Sequence, residues 1–326
     1  MQQPHRIDVH RHVIPPAYLS AMRDAGVDTP IAGVAYPAWD VETDLAAMDR
    51  FGIQSAVVSI TAPGVGFVTG RAAATVARAV NEYLAQLRTD YPTRYGAFAV
   101  LPLPDVEAAL AEIDYATGVL GLEGVGLFSN HRGTYLGDPA FDRVFARLAE
   151  ADVVTFVHPA IPPATDQPQF GLPPSLYEFP FDTTRMVANL LYSGTLDRYP
   201  GLRLIVSHAG GAVPFLAKRL TYAAAINPEV APRQPADLFG SLRRLYYDTA
   251  MSANPHTLAA LTSLIGTDHI LFGSDYPFMP VSTTAETVDG VNAFFGPGDR
   301  QLVERGNAMR LLPGLGRALG PARANA

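Results

Sequence analysis

The residues with the most chemical potential in this chain are histidines at strand-like spacing. Two of its eight histidines, His10 and His12, close the stretch Arg-Ile-Asp-Val-His-Arg-His at Arg6–His12. That stretch reads as a buried strand, and positions i and i+2 of a strand share a face, so the two imidazoles converge. Two neutral imidazoles aimed at one point are half of a site for a borderline divalent metal. A His-x-His pair is also an ordinary surface feature, so the other half must be found elsewhere. The remaining groups of suitable type follow short apolar runs: His158 after 153–157, His208 after 202–207 and Asp275 after 269–273.

The elements that must position these groups alternate. After the first strand come a Pro- and Gly-containing connection over 13–38, a helix over 40–51 and a strand over 54–60. A helix over 72–90, a strand over 95–101, a helix over 105–120 and a strand over 124–128 follow. Asp138 and Pro139 read as N-cap and first helical residue of a helix over 141–151, which leads to the strand at 153–157. A proline-rich stretch over 160–180 reads as a lid or pocket wall, followed by a helix over 182–196. Strands over 202–207, 245–249 and 269–273 and closing helices over 283–295 and 299–312 complete the chain.

Eight apolar strands alternating with helices predict an α/β fold of the (β/α)8 TIM-barrel type, one domain over 1–326 with long mouth loops at 13–39 and 160–181 and a frayed tail at 313–326. A doubly wound open sheet is the rival, but no Gly-x-Gly-x-x-Gly follows the first strand. In a closed barrel, His10, His12, His158, His208 and Asp275 all face one mouth. Five groups able to bind a transition metal or move protons, each at a strand's C-terminal edge, mark a catalytic site.

Composition narrows the function. Apolar residues make up 48% of 326 positions, the net charge is -7, and Lys218 is the sole lysine. No basic run of the density needed for nucleic acid or an anionic membrane exists. There is no cysteine, so a metal must be held by nitrogen and oxygen. With no apolar run long enough to span a bilayer and no charged-then-apolar stretch near the N-terminus, a cytoplasmic location is expected.

Together, Asp8-Val-His-Arg-His, His158-Pro, Ser207-His-Ala-Gly-Gly, Gly273-Ser-Asp-Tyr-Pro and Gly306-Asn-Ala-Met-Arg-Leu-Leu resemble the metal-dependent amidohydrolase superfamily over nearly the whole chain. The resemblance is to the decarboxylase branch that includes aminocarboxymuconate semialdehyde decarboxylase and the γ-resorcylate, 5-carboxyvanillate and 6-methylsalicylate decarboxylases. It implies that His10, His12, His158 and Asp275 ligate one divalent ion while His208 polarises substrate or handles a proton. It also implies a homo-oligomer, a dimer or tetramer, in which a neighbour's residue enters the pocket. Binuclear relatives bridge two ions through a lysine on strand four, and Lys218 lies after strand six, so one ion is expected: Zn²⁺, with Mn²⁺ tolerating the same ligands.

Departures refine the likeness. The aminocarboxymuconate enzymes carry an arginine where 40–49 here has none, and the γ-resorcylate type has glutamates where Gly211 and His10 stand. Ser59-Ile-Thr-Ala-Pro-Gly and Glu178-Phe-Pro-Phe-Asp-Thr-Thr-Arg resemble the 6-methylsalicylate group most.

The expected reaction is non-oxidative loss of CO₂ from a hydroxylated aromatic acid, with Asp275 as proton donor to the ring and His208 orienting the phenolic oxygen. A hydrolase of esters, lactones or amides, or a hydratase, is the alternative on the same residues, with Asp275 deprotonating a water. Trp39, Phe170, Tyr177, Phe179, Tyr276 and Phe278 are candidate walls for a flat ring, and Arg185 a candidate partner for a carboxylate. Asp248 is expected either to support a ligand histidine or to cap a turn. Arg11, alternating away from the metal face, reads as structural. Asn130 and Arg132 are placed at the mouth, His131 as an exposed loop residue, and His5, His256 and His269 are assigned no role.

Overall fold

A computed structural model describes residues 5–29, 35–163 and 170–319. Eight parallel strands run in sequence order around a barrel: β1 (Arg6–His12), β2 (Ile53–Ser59), β3 (Tyr95–Val100), β4 (Gly124–Phe128), β5 (Val154–His158), β6 (Arg203–Val206), β7 (Tyr246–Asp248) and β8 (Ile270–Leu271). Closure comes where β8 and its following turn meet β1: Val9 N–H donates to Phe272 O at 2.9 Å, Asp275 N–H to His10 O at 2.8 Å and His12 N–H to Tyr276 O at 2.8 Å. The expected TIM barrel is therefore the observed one.

Local chemistry starts the helices between strands. Asp40, Asp105 and Asn254 each accept a first-turn N–H, from Thr43, Ala108 and Thr257. Asp138 caps a short turn at Pro139–Phe141 that leads into the helix Asp142–Glu150. The helices pack their apolar stripes on the outer barrel face. Inside, Ile7, Val9, Val57, Phe98, Phe156, Ile205 and Leu271 fill the lower barrel, and Leu311, Leu312 and Leu315 plug it from below.

That plug corrects the expected tail. Residues Pro313–Leu319 form a helix with Leu315 only 2% exposed; the rest of the expected tail, 320–326, lies outside the described residues. Two loop expectations also change. The 13–38 connection contains a helix at Pro16–Asp24, opened by proline at its first position. The helix expected at 182–196 begins at Pro174 and ends at Tyr192, where Gly194 takes φ 73° and a separate turn, Thr195–Arg198, follows. Pro180, the end of the proline-rich stretch, sits inside this helix, and Thr184 Oγ1 donates to the Pro180 carbonyl at 2.7 Å. The parts of these loops at 30–34 and 164–169 lie outside the described residues. Among the described residues no helix is long and apolar enough to cross a membrane.

The helix Pro174–Tyr192 is pinned across the mouth by one buried carboxylate. Asp182 accepts from the Ser129 hydroxyl, the Asn130 amide at 3.0 Å and the Tyr135 hydroxyl, all just beyond β4. This bond set fixes Phe179, three residues earlier, over the barrel.

Candidate metal centre

His10 and His12 end β1 on its inner face and are fully buried. Between them Arg11 points outward into a closed ionic network. It donates to Asp44 through Nε at 2.9 Å, and Nη2 lies 2.8 Å from the same carboxylate. Tyr95 donates to Asp44 at 2.6 Å, and the Tyr276 ring covers the guanidinium at 4.2 Å. Asp8 accepts from the Ser274 hydroxyl at 2.6 Å and from the Ser274 and His10 backbone amides, both at 3.1 Å. The end of β1 is thus tied to the turn that presents Asp275, whose backbone takes the left-handed φ of 62°.

His10, His12 and His158 each have Nδ1 matched to an acceptor. His10 donates to Asp248 Oδ2 at 2.8 Å, His12 to Ser59 Oγ at 3.2 Å and His158 to its neighbouring Pro159 carbonyl at 2.7 Å. The three Nε2 atoms are left as lone pairs turned toward one point. His10 Nε2 and His12 Nε2 stand 3.2 Å apart, and Asp275 Oδ1 lies 3.3 and 3.1 Å from them. One donor atom from each of His10, His12, His158 and Asp275 falls within 4.8 Å of all the others.

Lone pairs at that spacing repel unless a cation lies between them. Ligand bonds of about 2.0–2.1 Å place donor atoms at separations of this size. The electrostatics agree. Burial opposes charge on His10, yet Asp248 and Asp275 push its pKa up to about 10, so without an ion a proton on His10 supplies the positive charge that an ion would otherwise bring to that point. Burial holds His12 below, and His158 well below, the usual histidine value, as neutral ligands should be. Burial also works against a charged Asp275, but His10, His12 and His208 outweigh it and keep the carboxyl well below the ordinary range. The residues present fit a divalent ion.

His208 follows β6 in a tight turn with φ 54°, continued by Ala209, Gly210 and Gly211, all at positive φ. Gly211 is required by packing: a Cβ there would lie 2.2 Å from the Pro180 carbonyl. His208 N–H donates to Asp248 Oδ1 at 2.9 Å, and His208 Nε2 faces Asp275 Oδ2 at 3.4 Å. The two oxygens of Asp275 therefore face different partners, Oδ1 the ligand cluster and Oδ2 His208. Asp248 plays both roles expected of it, holding His10 and capping the turn at His208 and at Ala250 N–H.

Of the candidate walls, Phe179 stands 5.8 Å from the His158 ring and Phe278 5.4 Å from His12, both edge-on. Tyr276 is taken up by Arg11. Trp39 is half-buried, with an indole N–H that finds no acceptor among the described residues. Phe170 is 82% exposed. Arg185 pairs with Glu178 at 3.5 Å on its own helix and stays half-exposed. His131, expected to be exposed, is 7% exposed and packs on Phe128 and Phe141, because the chain turns back after β4 into a two-stranded hairpin, Asn130–His131 with Thr134–Tyr135. His5 bonds Glu304, and His269 stacks on Tyr246, both away from the mouth.

Ser59, Thr61 and Asp44 were not anticipated. Thr61 Oγ1 lies 3.4 Å from His158 Nε2. Polar residues at the end of an otherwise apolar strand signalled Ser59 and Thr61, and Asp44 shares a helix face with the buried Ala47 and Met48.

The profile of the family described as amidohydrolase matches residues 7–314. The chain is 37% identical over 315 residues, 95% of it and 97% of the relative, to a 6-methylsalicylic acid decarboxylase of Penicillium expansum. It is 29% identical over 286 residues, 83% of it and 86% of the relative, to a γ-resorcylate decarboxylase of Rhizobium sp.. The fold superposes with a TM-score of 0.84 at 25% identity, over 95% of this chain and 96% of the other, on a 5-carboxyvanillate decarboxylase from Novosphingobium aromaticivorans complexed with manganese and 4-hydroxy-3-methoxy-5-nitrobenzoic acid.

Proposed function

The chain belongs to the amidohydrolase family, and from that premise we propose that it is a metal-dependent carboxy-lyase that removes CO₂ non-oxidatively from a hydroxylated aromatic acid resembling 6-methylsalicylate. One observation carries the reading. Three histidine Nε2 atoms and Asp275 Oδ1 meet at one point in a chain aligned almost end to end with a 6-methylsalicylic acid decarboxylase. The relatives favour this over the hydrolase or hydratase that the same residues would also allow.

His10, His12, His158 and Asp275 hold one divalent ion, Zn²⁺ on the strength of three imidazoles and one carboxylate, with Mn²⁺ supported by the carboxyvanillate enzyme. When bound there, such an ion would supply Lewis acidity toward developing negative charge on the substrate. Asp275 begins as a carboxylate. As substrate binds, Oδ2 takes the phenolic proton, oriented by His208 across 3.4 Å. Asp275 then gives that proton to the ring carbon bearing the carboxylate. The carbon–carbon bond breaks, CO₂ leaves, the electron pair returns to the ring, and a solvent proton restores the phenol. Phe179 and Phe278, edge-on to ligand histidines, form walls for the ring and keep water from it.

The working unit is a cytoplasmic homo-oligomer. Leu176, Phe181 and Phe215 are 56%, 47% and 85% exposed on the helices Pro174–Tyr192 and Val213–Leu220, apolar surface that suits a second copy of the chain. Light scattering tests the oligomer, and metal analysis of protein reconstituted with each ion, alongside CO₂ release from 6-methylsalicylate, tests the reaction.

A further inference from the structure

Phe128, the last residue of β4, separates the metal centre from a cavity that the reaction above does not use. The cavity holds about 430 Å³, within the range of small-ligand pockets. It lies at the barrel mouth among the loops that follow β2, β3, β4 and β5. Its walls run into the ligand cluster. Ala62 lines it, and the adjacent Thr61 touches His158. Ala160 lines it two residues after His158. The Phe128 ring packs edge-on against His158 at 6.2 Å on one side and against His131, a cavity wall, at 5.9 Å on the other.

The ring is also fixed in place. Gly64, at φ 59°, lies so close that a Cβ there would stand 2.3 Å from Phe128 Cε2. The rest of the lining is mainly apolar and includes Leu103 and Ile161. Its polar side chains have partners: the Asn130 amide bonds Ile161 O and Asp182, His131 Nε2 accepts the Phe128 N–H at 3.4 Å, and the exposed Arg132 donates to Gly66 O at 3.2 Å. Away from the exposed Arg132 the lining suits hydrocarbon rather than a charged group.

We propose that this cavity is an annex of the substrate site that takes an apolar substituent carried on the aromatic ring, and that Phe128 sets how long that substituent can be. The proposal rests on the decarboxylase reading. A ring methyl stops at Phe128, whereas a longer alkyl chain needs the space behind it.

The test compares CO₂ release from salicylates bearing a 6-methyl or a 6-propyl group, using metal-loaded wild type, Phe128→Ala and Phe128→Leu. The expected result is a propyl-to-methyl ratio of kcat/KM raised at least ~10-fold in Phe128→Ala and by less in Phe128→Leu, with one equivalent of metal retained. Adding Ile161→Trp, which places a bulky ring in the annex lining, returns the ratio toward wild type. An unchanged ratio in both single variants overturns the proposal; if Phe128→Ala does not fold, Phe128→Leu decides. If wild type releases no CO₂ from either acid, the decarboxylase reading has failed, and calorimetric binding of n-butylbenzene to Phe128→Leu judges the cavity by itself. Binding that Ile161→Trp abolishes upholds an apolar annex, and no binding overturns it.

Discussion

Asp248 Oδ2 accepts the His10 Nδ1–H at 2.8 Å while its other oxygen caps the His208 backbone at 2.9 Å, so one buried carboxylate sets both the His10 ring and the turn carrying the group that faces Asp275. Replacing it with asparagine keeps the shape but removes the charge that orients and strengthens His10 as a ligand. The Asp248→Asn protein is expected to fold and to bind metal about 10–100-fold more weakly, read by competition with a fluorescent chelator. Unchanged metal affinity would contradict this role.

Removing the ion should expose the repulsion built into the cluster. Treated with chelator, the protein is expected to melt at a lower temperature, and restoring Zn²⁺ or Mn²⁺ at about 100 times its Kd should return about 2.7 kcal/mol of stability. His12→Ala, lacking one of the converging lone pairs, should show a much smaller difference between the two forms.

The cluster was legible in the sequence because its members sit at strand ends, where alternation and barrel geometry dictate direction. His10 and His12 could be placed on one face from spacing alone, and His158, His208 and Asp275 followed from the apolar runs before them. The partners that fix their tautomers were less visible. Ser59 lies 47 positions from the His12 it supports, and Asp44 meets Arg11 only because the helix Val41–Arg50 packs beside β1 and β2. The missed helix start at Pro174 has a local cause: the prolines of 160–180 read as loop, yet Pro174 sits in the first turn, where its missing N–H costs nothing, and Pro180 is held inside the same helix. The burial of His131 depended on the hairpin turn at Arg132 and Gly133, whose positive φ values fold the loop back.

Arg11 is 1% exposed and sits between Asp44 and Asp8. Arg11→Met leaves both carboxylates buried without their cation and should destabilise the fold by about 3–5 kcal/mol in urea denaturation. The double variant Arg11→Met, Asp44→Leu removes one of the stranded charges and should be the more stable of the two. Equal loss in both would place the effect in packing instead.

His131 gives a pH dependence of definite sign. Burial lowers its pKa from 6.5 to about 3, so between those values the unfolded chain takes up a proton that the folded chain refuses. Its contribution is fully present above pH 6.5 and is lost as pH falls, by up to about 1.4 kcal/mol per unit. With metal removed from both proteins, wild type should lose more stability from pH 6.5 to 4.5 than His131→Gln does. Parallel curves would show that His131 is not held neutral.

CO₂ release from 6-methylsalicylate by metal-loaded protein, compared with Asp275→Asn at matched metal content, tests the decarboxylase mechanism most directly. Release by wild type that falls at least ~100-fold in the variant is the predicted result. Turnover in Asp275→Asn equal to wild type, or no release from a wild-type protein holding one equivalent of metal, would contradict it.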